Sequence, residues 1–307
     1  MQQNLIGGIF SVFASHNKGP KARDLKTRMR INLTLARDYL WSYFQARRQP
    51  ATFQNVRSYC LFVGHARSGG SLIGGLLDAH PNIILADEVD IFPYVAARFS
   101  REQIFHLLLA RSRIQARKGR TKDGRDAKTY SYGVPGQWQG RYENLQVIGS
   151  RKAGITTQQL QIDPSLLPRL RGLLGEDIAI KTILTIRNPF DTISTMHIRS
   201  GRPLMQGLEQ YFLNCRTIES LKKGFSASSF LMLRHEDLLA RPEEHIREAC
   251  RFLDIPAPDE YIQACTAILY EAPAKSRHKV AWTPEIIATV NQRIGQYDFL
   301  KGYSFKS

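Results

Sequence analysis

Three short stretches carry residue types suited to binding anions and moving protons. Residues 64–71 read GHARSGGS, with glycines at 64, 69 and 70, a fixed positive charge at Arg67 and hydroxyl donors at Ser68 and Ser71. At a strand-to-helix turn, successive backbone N–H groups and the helix dipole would add to these donors. Residues 187–195 read RNPFDTIST and place Arg187 two helical turns before Thr195, with Ser194 beside it. A guanidinium and a hydroxyl so spaced can share one anionic group. Residues 82–88, NIILADE, end on Asp87 and Glu88, with Asp90 just beyond. A carboxylate at a strand end can take a proton from an attacking group, and Glu88 is the first candidate, ahead of Asp87, Asp90, His65 and His106.

The frame Gly64-x-x-x-x-Gly69 followed by Ser71 departs from a Walker A loop at one decisive place. Gly70 stands where that loop carries its lysine. NIILADE imitates a Walker B strand, but Asp87 comes only sixteen residues after Ser71, on what reads as the next strand. Without the lysine a metal-bound triphosphate is poorly held, so a P-loop kinase or NTPase is the alternative and not the first choice.

The elements that must position these residues alternate between strand and helix from about residue 57 onward. SYCLFVGHA, NIILADE, LQVIGSRKA, IAIKTILTIRN and SFLMLRHEDLLA read as strands, the first an apolar run ending in glycine as buried parallel strands do. SLIGGLLDAH, REQIFHLLLARSR, DPSLLPRLRGLLG, PFDTISTMHIRSG and MQGLEQYFLNCRTIESLKKG read as helices, with Pro189 suited to a helix start. RPEEHIREACRFLDI, DEYIQACTAIL and the tail TPEIIATVNQRIGQYDFL complete the set. The pattern predicts an α/β fold with a mostly parallel central sheet flanked by helices. Ligands in such sheets bind at the carboxyl ends of the strands. Residues 1–55 read as a basic N-terminal extension, partly helical and broken at Gln49–Pro50, before one domain at 56–307.

The net charge of +16 is concentrated. Residues 18–48 hold nine Lys or Arg against two Asp, and residues 111–128 hold eight against two. These segments could attract an anionic substrate, an acidic membrane surface or nucleic acid, so a non-enzymatic protein docking on membrane or nucleic acid is a further alternative. Aromatic residues are sparse among the cations of 111–128, which argues against single-stranded nucleic acid. The stretch 117–141 has no clean period and reads as a long loop, and the basic loop at 111–141, with Tyr130, Tyr132, Trp138 and Tyr142 at its far end, is the candidate acceptor-facing segment. Four dispersed cysteines suggest neither zinc nor a disulfide framework. No run reaches the roughly 18 apolar residues of a membrane span. The stretch LIGGIFSVFA at 5–14 lacks the features of a signal peptide, which predicts a cytoplasmic protein, with peripheral membrane attachment as the variant.

Taken in order, the motifs resemble those of the sulfotransferases that use 3′-phosphoadenosine 5′-phosphosulfate (PAPS), nearest the tyrosylprotein and bacterial branches. ARSGGSLIGGLLDAHP resembles the family's first motif, RNPFDTIST its second, and RHEDLLARPEEHIREACRFLDI a third, over roughly residues 57–303. The resemblance implies a P-loop-like sulfotransferase fold and transfer of a sulfuryl group from PAPS to a hydroxyl or amine. It implies no metal. Arg67, Ser68, Gly69, Gly70 and Ser71 would hold the 5′-phosphosulfate, and Arg187 with Thr195 or Ser194 the 3′-phosphate. Glu88 would be the base, Lys152 a cation at the transition state, and Arg277 part of a loop closing over the nucleotide. His235 stands where a tyrosine near the nucleotide is usual, and Gly70 replaces a threonine. The acceptor, whether glycan, lipid, peptide or small alcohol, and the oligomeric state are not legible.

Overall fold

The computed structural model describes residues 25–118 and 132–307. The apolar stretch 5–14, the first cations of the N-terminal segment and Tyr130 lie outside the described residues. Five strands form the sheet: β1 (Ser58–Gly64), β2 (Ile83–Asp87), β3 (Val147–Arg151), β4 (Ala179–Ile186) and β5 (Phe230–Arg234). All neighbours are parallel and the order is β2-β3-β1-β4-β5. NIILADE is therefore not the neighbour of the first strand, because β3 inserts between them.

Both faces of the sheet are covered, which is why its strands read as unbroken apolar runs. Along β1, Tyr59, Leu61 and Val63 enter one core and Cys60 and Phe62 the other. Burying each such side chain stabilises by about 1.5–3 kcal/mol. The chain leaves β1 through α2 (Gly70–Asp78) toward β2 on one side and later returns to β4 on the other. The turns at the ends of β1 and β4 therefore lie side by side at a switch in strand order, where open α/β sheets bind ligands.

Helix α1 (Leu25–Arg48) ends at the expected break and packs on α4 (Arg101–Lys118). Between β2 and α4 runs the short helix α3 (Phe92–Ala96). The first residues of the basic segment expected as a loop at 111–141 are helical, because α4 continues through Lys118. After β3 come α5 (Ala153–Ile162) and α6 (Leu166–Leu174), of which α5 has no counterpart in the sequence reading. Helix α7 (Pro189–Ser200) follows β4, and α8 (Leu204–Lys223) leads to β5. β5 stops at Arg234, and HEDLLA is a short helix, α9 (His235–Ala240), where the pattern suggested continued strand. Then come α10 (Pro242–Phe252), α11 (Asp259–Ala267), a 3-10 turn at Ser276–Lys279 and α12 (Pro284–Ile294).

Candidate active site

The loop after β1 takes its shape from three backbone choices. Gly64 has φ 130 and Gly69 φ 92, values that L side chains rarely adopt, and Arg67 between them has φ 69. The Ser68 hydroxyl donates to the His65 carbonyl at 2.8 Å and lies 2.9 Å from the Thr185 hydroxyl on β4. With its one proton given to His65, Ser68 accepts from Thr185 and braces the turn against the neighbouring strand. A Cβ at Gly70 would lie 3.1 Å from Thr185 Oγ1, so the glycine makes room for that brace. The Gly64 N–H donates to Thr157 Oγ1 of α5 at 2.8 Å, and a Cβ at Gly154 would meet the Ala66 nitrogen at 2.9 Å.

The N–H groups of Ser68, Gly69, Gly70 and Ser71 find no backbone acceptor among the described residues. They crown the N-terminus of α2, so the turn fits an anion. Arg67 stays exposed beside it. Beneath the loop lies Arg151, a buried guanidinium that ends β3, pairs with Asp87 and reaches Glu88 Oε1 at 3.1 Å. Burial first, and then the neighbouring Arg67, pull its pKa down to about 9. It remains charged at neutral pH, and a Cβ on Gly74 would lie 2.9 Å from its Cδ.

His235, at the start of α9, closes the other flank. Its Nδ1 would stand 2.6 Å from a Cβ on Gly69 and has no hydrogen-bond partner among the described residues. Burial and then the Arg187 charge lower its pKa to about 4, so the ring is neutral at pH 7. Arg187 follows β4 and donates to the Ala274 carbonyl. Thr195 donates to the Asp191 carbonyl at 2.7 Å, and with its one proton so spent its oxygen lies 3.0 Å from the Ser276 hydroxyl. Arg187 and Thr195 thus face one segment, 274–276. Ser194 points elsewhere: it is buried and accepts from Trp282 Nε1 at 3.1 Å.

Arg277 is buried and bound inward. Its N–H meets Asp191 Oδ1 at 2.9 Å, its guanidinium lies 3.4 Å from Asp191 Oδ2, and it donates to the Ser304 carbonyl at 3.1 Å. Asn188 caps α7 through the Phe190 N–H, and also donates to the Ser304 carbonyl at 2.9 Å. Its own N–H donates to Glu236 Oε1 at 2.9 Å. The segment around 277 and the chain end are thereby fastened over the start of α7.

Glu88 and Lys152 share a cavity of about 640 Å³ with Asp90, Tyr94 and Arg111, walled on one side by Thr34 and Leu35 of α1. Glu88 has φ 55, its N–H donates to the Arg151 carbonyl at 2.9 Å, and its side chain is 52% exposed. Asp87 is committed to Arg151. Asp90 accepts from Gln159 Nε2 at 2.6 Å, and burial raises its pKa against the pull of Phe92, Gln159 and Lys152. Arg67 and Glu88 are two of the four non-glycine residues with positive φ among the described residues, a strain that tends to collect at functional sites. His65 is no base: it stacks on Tyr211 at 3.8 Å, and burial lowers its pKa to about 3.

The far end of the basic loop sits away from this site. The Trp138 N–H donates to Ala79 and the Glu143 N–H to Pro81, at the opposite end of α2 and ahead of β2. The helical part of the segment does reach the cavity, through Arg111 and Gln115. Residues that sequence reasoning passed over are Arg151, Asn188, Asp191 and Glu236. Arg151 had a signal, a cation ending an apolar strand much as Arg187 follows one. Among the described residues no cluster of His, Cys, Asp or Glu is placed to hold a metal, and no helix is long and apolar enough to cross a membrane.

Residues 179–259, from β4 into α11, match the family model described as Sulfotransferase family. The fold is similar to the sulfotransferase domain of the Synechococcus PCC 7002 olefin synthase, at 18% identity and a TM-score of 0.52, covering 80% of this chain and 96% of that one. Sulfotransferase STF9 from Mycobacterium avium is 12% identical with a TM-score of 0.48, covering 92% of this chain and 88% of that one. Mouse sulfotransferase SULT7A1, complexed with PAP, is 14% identical with a TM-score of 0.42, covering 78% and 84%. No curated protein matches the sequence. The chain resembles the sulfotransferases in two ways: in sequence across its second and third motifs, and in the parallel sheet that carries them.

Proposed function

We propose that the chain is a sulfotransferase that takes its sulfuryl group from PAPS. The observation that carries this is two turns rich in donors suited to anions, at the ends of the neighbouring strands β1 and β4. The amides after β1 and the Arg187 and Thr195 side chains after β4 follow neighbouring strands, and the neutral His235 ring lies against Gly69 and feels the Arg187 charge. A diphosphate-like group at one turn and a separate phosphate at the other suit a nucleotide bearing both 5′ and 3′ charges. The residues fit that group, since the loop offers unpaired amides and His235 offers an unpaired ring nitrogen.

In the proposed reaction an acceptor hydroxyl or amine attacks sulfur in line. The bond from sulfur to the acceptor forms as the bond to the bridging phosphate oxygen breaks, releasing adenosine 3′,5′-bisphosphate. Glu88 takes the acceptor proton. Arg67, with Arg151 behind it and Lys152 across the cavity, offsets charge on the leaving oxygen. Arg151 also holds the Glu88 carboxylate. The acceptor lies in the 640 Å³ cavity.

Titration calorimetry with adenosine 3′,5′-bisphosphate tests the reading. Binding should be lost in Arg187→Ala and kept in Glu88→Gln, while Glu88→Gln lowers sulfuryl transfer by about 10²–10⁴-fold. Binding of ATP with magnesium and none of the bisphosphate would replace this reading with a kinase.

A further inference from the structure

Helix α1 has one face spent on the domain and one face left over. On the inner face, Asp38 accepts from the Tyr94 hydroxyl at 3.0 Å and lies 3.7 Å from Arg111. Gln103 donates to the Tyr39 carbonyl at 3.2 Å and to the Ser42 hydroxyl at 3.3 Å. These contacts fix the rotation of the helix. On the outer face Leu33, Leu40, Trp41 and Phe44 are 64%, 54%, 40% and 57% exposed. The three-to-four-residue spacing puts them in one stripe with Arg37, Arg47 and Arg48. Arg37 is paired with Asp38, the only acidic residue of the helix, and Arg47 lies 4.8 Å over the Tyr43 ring. Arg47 and Arg48 form the basic last turn of the helix, and neither has an ion-pair partner among the described residues.

We propose that this face of α1 docks on an anionic lipid bilayer. Long apolar side chains and a tryptophan flanked by arginines, with no free carboxylate, match the boundary between acyl chains and acidic headgroups. Other occupants fit less well. A second copy paired by a two-fold axis would set arginines against arginines with no acid to separate them. Nucleic acid would neutralise the cations and leave Leu33, Leu40 and Phe44 against phosphate. Docking stands independently of sulfuryl transfer. If both hold, Thr34 and Leu35, next to Leu33, bring the wall of the acceptor cavity to the lipid surface.

The test is sedimentation of the full chain with phosphatidylcholine vesicles, with and without phosphatidylglycerol. The chain should sediment with the anionic vesicles and be released by salt. Leu40→Ser with Phe44→Ser should weaken binding by about tenfold or more at low salt. Arg47→Gln with Arg48→Gln should abolish the preference for phosphatidylglycerol, and both variants should melt close to the parent because the replaced side chains are exposed and no acid is set against the helix dipole. A chain that stays in the supernatant, or binds equally in both variants, overturns the proposal. So does a dimer in solution that Leu40→Ser with Phe44→Ser separates, which would assign the face to a second copy.

Discussion

At the scale of single residues, the loop after β1 depends on what is missing from it. Gly69 needs its hydrogen for two separate reasons: its φ of 92, and a His235 nitrogen 2.6 Å from where a Cβ would sit. The left-handed backbone alone costs an alanine about 1–2 kcal/mol. The contact with a buried ring adds to that cost or moves the ring off Arg187. Gly69→Ala should lower the unfolding midpoint and weaken bisphosphate binding together. Adding His235→Ala should recover part of the stability, because it removes the contact and leaves the backbone term. A cycle of the four proteins by denaturant titration measures the coupling, and strict additivity would mean the ring does not crowd the loop. The loop glycines, Arg67, Arg187 and Glu88 stood out in the sequence because each closely follows an apolar run, and Thr195 because of its spacing from Arg187. Arg151 carries the same signal at the end of β3, but its link to Asp87 and Glu88 depends on β3 lying between β1 and β2, a pairing that local spacing does not encode.

At the scale of elements, most boundaries followed periodicity, and the exceptions have physical causes. Helix α5 escaped notice because Gly154, Thr156 and Thr157 are poor helix formers. They are there for contact: Gly154 admits the backbone of Ala66, and Thr157 receives the Gly64 N–H. The family resemblance puts Arg277, within KSRHK at 275–279, in a loop that closes over the nucleotide. In the fold Arg277 is buried against Asp191 and the Ser304 carbonyl. Removing one partner of a buried pair strands the other charge, at a cost of about 3–5 kcal/mol. Arg277→Met should destabilise by about that amount, and Arg277→Met with Asp191→Asn by clearly less. Urea midpoints decide it. Equal losses in the single and double variants would show that the guanidinium stabilises through the Ser304 carbonyl and not through Asp191.

At the scale of the whole molecule, the sheet holds uncharged histidines where strands and helices meet. His65 follows β1 against Tyr211 of α8, His80 follows α2, and His235 follows β5. The neighbours of His80 fix a neutral tautomer, since Nδ1 accepts from the Asn82 N–H at 3.0 Å and Nε2 donates to the Pro256 carbonyl at 2.9 Å. Burial lowers His65 to about 3 and His80 to about 4, and burial with the Arg187 charge lowers His235 to about 4, all from 6.5. Between pH 6.5 and 4 the unfolded chain therefore binds more protons than the folded one, so stability rises with pH across that window. Their contribution is fully present at pH 7 and is lost as the pH falls. The loss is about 1–2 kcal/mol per ring by pH 5. Summed over three rings, that is comparable with the whole stability of a typical domain, about 5–15 kcal/mol. The high positive charge works in the same direction, since protonating carboxylates removes the acids that offset 43 Lys and Arg. Urea unfolding should show a midpoint that drops steeply between pH 6.5 and 4.5. His65→Phe, which keeps the stack on Tyr211 and cannot be protonated, should make that slope shallower. A midpoint constant from pH 7 to 5, or a slope unchanged by His65→Phe, would mean that these rings already carry their protons in the folded chain.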